Sequence, residues 1–220
     1  MPVKNLLEEV KNNIEGLYGF STGLDVQEFL VSEKEIPRGY DKKAGVLVNE
    51  KEGRLGLFYS DALLQNLEEN NPLELLGEKN FHDFSVFVEE LDHFLFLAEK
   101  LSCEEPFTFL ETEIHGNITK YQAIKAYYAM LTGMSYVKKN RETLRDAVLN
   151  ADFSSDALSE RYEEAKRLSL KYSYYLDMLD SVERKTELKK FHRLNYAEKP
   201  LYIDQIIGVN YLNASRNPFV

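Results

Sequence analysis

The stretch Phe81–Leu131 constrains the fold more than any other part of the chain. Phe84, Phe87, Val88, Leu91, Phe94, Leu95 and Ala98 recur at helical spacing, and after the break at Ser102-Cys-Glu-Glu-Pro106 so do Leu110, Ile114, Ile118, Tyr121 and Tyr128. Two long amphipathic helices joined by so short a loop must fold back on one another, which predicts an antiparallel helical hairpin at the centre of the molecule.

What precedes the hairpin changes period twice. Leu6, Leu7, Val10, Ile14 and Leu17 form one stripe of a first helix, which Gly16, Gly19 and Gly23 bring to an end. From Val26 the segments VQEFLVS, AGVLVN and RLGLFYS are short, rich in β-branched and aromatic residues and bounded by turn residues, which predicts a three-stranded antiparallel meander. The loop Glu50–Gly53, with its glycine last, suits a bulge-type hairpin. Ser60 or Asp61 starts another helix, and the proline at 72 stops it.

Beyond the hairpin, Val137–Leu149 reads as a shorter helix. Leu158, Tyr162, Ala165, Ser169, Tyr172, Leu176 and Leu179 keep the alternating four-three spacing of a bundle seam. The basic stretch Arg184–Arg193 contains His192, and Lys199-Pro200 ends the helical part. The expected fold is α+β: an N-terminal helix and a β-meander (residues 1–71) packed on a mostly antiparallel helical bundle (72–200), with an apolar tail (201–220) docked through Leu201, Ile203, Ile206 and Ile207. No Pro/Gly/Ser-rich linker interrupts it, so one domain over residues 1–220 is expected.

Charge and cysteine usage narrow the function classes. Against 27 basic residues stand 37 acidic ones, a net charge of −10 that on average repels phosphate, so nucleic acid is not an expected partner. One cysteine, Cys103, leaves no intramolecular disulfide, and two glutamates follow it directly, which disfavours a reactive thiolate. No apolar run approaches the ~18 residues that span a bilayer, and the N-terminal residues lack the apolar core of a signal peptide. A soluble cytoplasmic protein is expected.

Chemistry is hinted at in one place. Glu90 and His93 stand three apart, and Glu111 and His115 four apart, on the two helices of the hairpin; folding it back could set the pairs opposite one another around a divalent metal. Glu-x-x-His is half of the di-iron bundle pattern, but the second pair is spaced differently, a departure from that pattern. Glu89 is expected to point away, and Glu113 to fix the register through Lys120. No P-loop, dinucleotide fingerprint, nucleophile elbow or Cys-x-x-Cys occurs. The leading expectation is therefore a non-enzymatic interaction or regulatory module with a protein partner and no cofactor. The alternative is a metal-dependent helical-bundle protein using Glu90, His93, Glu111 and His115.

Overall fold

The computed structural model describes residues 3–36, 39–49, 53–149 and 159–206. Helix α1 (Val3–Tyr18) buries Leu6, Leu7, Val10, Ile14 and Tyr18 along one stripe. Three strands follow, β1 (Leu30–Val31), β2 (Ala44–Asn49) and β3 (Arg54–Tyr59), then the helices α2 (Asp61–Glu69), α3 (Phe81–Ser102), α4 (Phe109–Thr132), α5 (Met134–Leu149), α6 (Ser159–Met178) and α7 (Ser181–His192). No described helix is long and apolar enough to cross a membrane.

The α+β architecture matches the sequence pattern, with one correction in the sheet. Its order is β1-β3-β2: β2 pairs antiparallel with β3, but β1 pairs parallel with β3, so the sheet is mixed and not an antiparallel meander. Most of VQEFLVS is spent on a 3-10 turn, Val26–Phe29, which Asp25 caps by accepting from the Gln27 amide; only Leu30 and Val31 remain as strand. A meander needs a tight turn between its first two strands. Here the connection from Ser32 to Lys43 is long enough to carry the chain across to the far edge of β3. As the central strand, β3 is covered on both faces, which is why its burial does not alternate: Leu57, Phe58 and Tyr59 are all buried. Of the β2–β3 loop, residues 50–52 lie outside the described residues, and Gly53 has φ +61°, the left-handed conformation a bulge-type loop requires.

The sheet is fastened to α3 by its aromatic side chains. Tyr59 stacks on Phe87 with centroids 4.8 Å apart and donates its hydroxyl to the Phe87 carbonyl at 2.8 Å. Phe29 packs on Phe94 beside them.

The α3–α4 hairpin is the centre of the bundle. Cross-hairpin contacts between Asp92 and His115, and between Glu89 and Lys120, run in opposite senses along the two helices, so they are antiparallel. Thr108 caps α4 by accepting from the Glu111 amide, and Cys103 lies exposed in the loop. α4 packs in turn on α5 and α6. The seam of α6 is as expected: Ala165, Ser169, Tyr172 and Leu176 are buried, with Tyr162 and Leu179 half-buried; Leu158 lies outside the described residues.

At the C-terminal end the proline at 200 does not stop the helical part. Residues 198–206 are helical, and Asn195 caps this segment, its side chain accepting from the Glu198 amide while Glu198 accepts from the Asn195 amide. A proline in a first turn forfeits only an amide with no intrahelical partner. Ile203 is fully buried, Ile206 half-buried and Leu201 exposed; Ile207 and the rest of the expected tail lie outside the described residues. Leu91, at the heart of α3, is fully buried. Leu91→Ala should therefore lower the unfolding free energy by roughly 2–5 kcal/mol, as measured by urea denaturation; a change below about 0.5 kcal/mol would contradict the helical phase.

Candidate metal centre

Burial brings polar side chains of α3, α4 and the C-terminal helices into three separate groups. The four residues singled out by sequence are divided among all three.

The first group surrounds His93. The Nε2 side of this ring abuts Gly116, where any side chain would collide with it. Its Nδ1 is 3.4 Å from Glu90 Oε2, one turn back on α3. Its Nε2 has no hydrogen-bond partner and is turned towards Glu113 of α4, whose Oε2 is 4.0 Å away. One donor atom from each of Glu89, His93 and Glu113 lies within 4.8 Å of the others. Glu89 also accepts from Lys120 Nζ at 2.8 Å. Burial pushes the His93 imidazolium down, but Glu90, Glu113 and Glu89 together overrule it and lift the pKa to about 10. Burial likewise pushes the Glu113 carboxyl up, partly offset by His93.

The second group holds His115. Its Nδ1 is 2.8 Å from Asp92 Oδ2, and its Nε2 is 3.0 Å from His192 Nδ1; His192 Nε2 in turn lies 2.8 Å from Glu99 Oε2. Asp92 and His115 are completely buried, and Tyr18 and Phe96 cover the His115 ring while Phe20 stacks on His192. The proton positions follow from this chain of contacts. His115 is neutral, because burial outweighs the nearby Asp92 and lowers its pKa to about 4. It gives its one N–H to Asp92, so Nε2 must accept, and His192 Nδ1 must donate. The result is a buried hydrogen-bonded chain, Asp92–His115–His192, with Glu99 Oε2 close to His192 Nε2 but making no hydrogen bond.

The third group is a buried ion pair. Glu111, which opens α4, accepts from Lys199 Nζ at 2.5 Å, and both side chains are essentially inaccessible. Lys199 lies between the Phe96 and Phe191 rings.

Of the sequence candidates, then, Glu90 and His93 are in contact, whereas Glu111 and His115 are held elsewhere by Lys199 and by Asp92 and His192; the four do not meet around one point. Glu89 was expected to point away, yet it stands one turn from His93 and faces the same space. Glu113 was assigned to a register contact with Lys120; that contact belongs to Glu89. The spacing Glu89-x-x-x-His93 was a usable signal. The meeting of His115 with His192, 77 residues away, leaves no trace in local spacing. The basic stretch that contains His192 is used internally: Arg184 donates to the carbonyls of Leu176 and Leu179 at the end of α6.

Opposite pH signatures follow for the two buried histidines. His115 has a lowered pKa, so its contribution to stability is whole above about 6.5 and is lost as pH falls, reaching roughly 3 kcal/mol by pH 4. His93 has a raised pKa, so its contribution is whole below about 6.5 and is lost as pH rises towards 10. In a titration followed by NMR, the His115 ring should show no protonation step between pH 8 and 5.5; a midpoint near 6.5 would contradict the neutral assignment. Comparison with protein-family models, with characterised proteins and with solved structures gave no match for this chain.

Proposed function

We propose that this chain is a divalent-metal-binding helical-bundle protein, its cation held at the α3–α4 interface by His93 Nε2, Glu89 and Glu113. The carrying observation is the state of the His93 ring. It is buried, seated on Gly116 and engaged by Glu90 through Nδ1, while Nε2 is left without a hydrogen bond beside two carboxylates. A histidine that gives one nitrogen to a carboxylate and turns the other to a shared space has the arrangement of a metal ligand with its orienting partner.

Charge supports the same reading. Among the groups in direct contact, Glu89, Glu90 and Glu113 carry three negative charges against one on Lys120 and one on His93, whose proton a divalent cation would displace. A divalent cation with a neutral His93 balances them. Donors on a cation at ~2.1 Å stand about 3.4 Å apart in a tetrahedral site, so the three side chains need close in by only about an ångström from their 4.8 Å limit. One nitrogen and two carboxylates favour zinc, manganese or iron(II) over calcium or magnesium. Three protein donors leave a coordination position for water, and the side chains of Glu89, His93 and Glu113 are each slightly exposed, at 11–13%. A cation there would be positioned to polarise that water for hydrolytic chemistry. The proposed donor set replaces the one suggested by spacing: Glu90 orients His93, and Glu111 and His115 take no part.

Calorimetric titration of tag-free protein with zinc or manganese tests this. One equivalent should bind with a dissociation constant below about 0.1 mM. Glu113→Gln should weaken binding at least tenfold, Glu90→Gln by about 10–100-fold, and the exposed His82→Ala not at all. Gly116→Ala should be the most informative variant. It improves helix propensity and keeps every donor, but its methyl group displaces the buried His93 ring, so affinity should fall while the melting temperature drops only modestly, the propensity gain offsetting part of the overpacking. Binding that ignores both Glu113→Gln and Gly116→Ala would overturn the assignment.

A further inference from the structure

We infer that a second site, independent of the metal centre, binds a small planar heteroaromatic molecule between Tyr128 and Tyr136. The two rings are parallel to within 10°, with centroids 6.5 Å apart. Both line one cavity of about 420 Å³ at the elbow where α4 gives way to α5.

The elbow is built by Gly133. Its φ of +94° is costly for other residues, and its amide closes α4 on the Ala129 carbonyl at 3.0 Å. The chain therefore turns at once into α5, and the first turn of α5 sets Tyr136 beside Tyr128 in the last turns of α4. Phe81, at the start of α3, meets Tyr128 edge-on at 6.3 Å and 66°, and lines the same cavity together with Leu144.

The spacing selects the shape of the ligand. Two aromatic faces in contact lie about 3.5 Å apart, so a third ring slid between two others needs about 7 Å. The observed 6.5 Å is within a small side-chain adjustment of that value. Both near-parallel rings also line a common space large enough for a small molecule, which typically occupies roughly 300–1,000 Å³. A flat ligand fills such a slot, and a bulky aliphatic one of similar volume does not. Tyr136 is half exposed and the cavity is open to solvent, so a ligand can reach it.

The polar lining selects the ligand's edge. Glu78, His82, Asn140 and Thr143 make the polar lining; Asn140 donates to the Tyr136 carbonyl, which leaves its side-chain oxygen and the Glu78 carboxylate as acceptors, on a chain whose net charge is already −10. These favour N–H donors or a positive charge at the rim over an anionic group. The chemical class is thus a one- or two-ring heteroaromatic with N–H groups along one edge.

The experiment uses two probes of similar size on the full chain: 2-aminobenzimidazole, which is flat and rich in N–H groups, and 1-aminoadamantane, which carries the same charge type but is not flat. Binding is followed by NMR. The flat probe should bind saturably, its ring protons shifting upfield from the faces of the two tyrosines, and the resonances of Tyr128 and Tyr136 should move together. Tyr136→Ala should weaken it at least tenfold, Tyr136→Phe less than threefold, and Glu78→Gln several-fold. Because Tyr136 is half exposed, these variants should keep the wild-type melting temperature, which is measured alongside. Equal binding of 1-aminoadamantane would show a plain apolar cavity and overturn the inference. So would unchanged binding in Tyr136→Ala, or no binding of the flat probe up to about 10 mM.

Discussion

A charged group carried into the centre of a helical bundle must find its opposite there, and α4 carries such groups along most of its length. Glu111 meets Lys199, Lys120 meets Glu89, and Lys125 meets Asp177, which also takes Arg145 and the Tyr121 hydroxyl. Leaving any of them alone would cost several kcal/mol, far more than a lost apolar contact of the same area. The effect falls less on total stability than on register. An apolar helix can slide by a turn against its neighbours and still bury Leu and Phe; α4 cannot, because each slide separates every pair at once.

This requirement places α3 and α7. α3 brings Glu89, Asp92 and His93 to one side of α4, and α7 brings His192 to meet His115. The same low-dielectric interior sends two histidines in opposite directions. His115 has a single carboxylate and two neighbouring positive groups, His192 and Lys199, and burial keeps it neutral. His93 is ringed by three glutamates, which overcome burial. The number of carboxylates within reach decides the outcome, not the depth.

Much of this fold was legible from residue spacing, and the limits are physical. The apolar periodicity of Phe84 to Ala98 and of Ala165 to Leu176 exposes helical phase directly, because burial of one face is a local pattern. The parallel pairing of β1 was not legible, since two residues carry no period and the direction of pairing depends on where a long connection leads. The candidate centre was half legible. Glu90 and His93 touch because they are neighbours on one helix. Glu113 joins them only through the hairpin's rotation, and the same rotation sends Glu111 and His115 to other partners. Lys199 lies 88 residues beyond Glu111, a distance at which no spacing rule operates. The Gly116 backbone that seats His93 was likewise invisible, because a glycine inside a helix gives no hint of which ring it makes room for.

The pairing of α4 with late parts of the chain also bears on how the molecule is made. A ribosome delivers α3 and α4 first, but Asp177, His192 and Lys199 emerge tens of residues later. Until they do, Lys125 and Glu111 lack the partners that would let them leave water, and His115 has only Asp92 on its Nδ1 side, so the hairpin keeps those two charges solvated. Closure of the core therefore waits for residues near 200, so the buried pairs of α4 are completed late and together. During that interval the phenylalanines of α3 are the surface most in need of protection by chaperones.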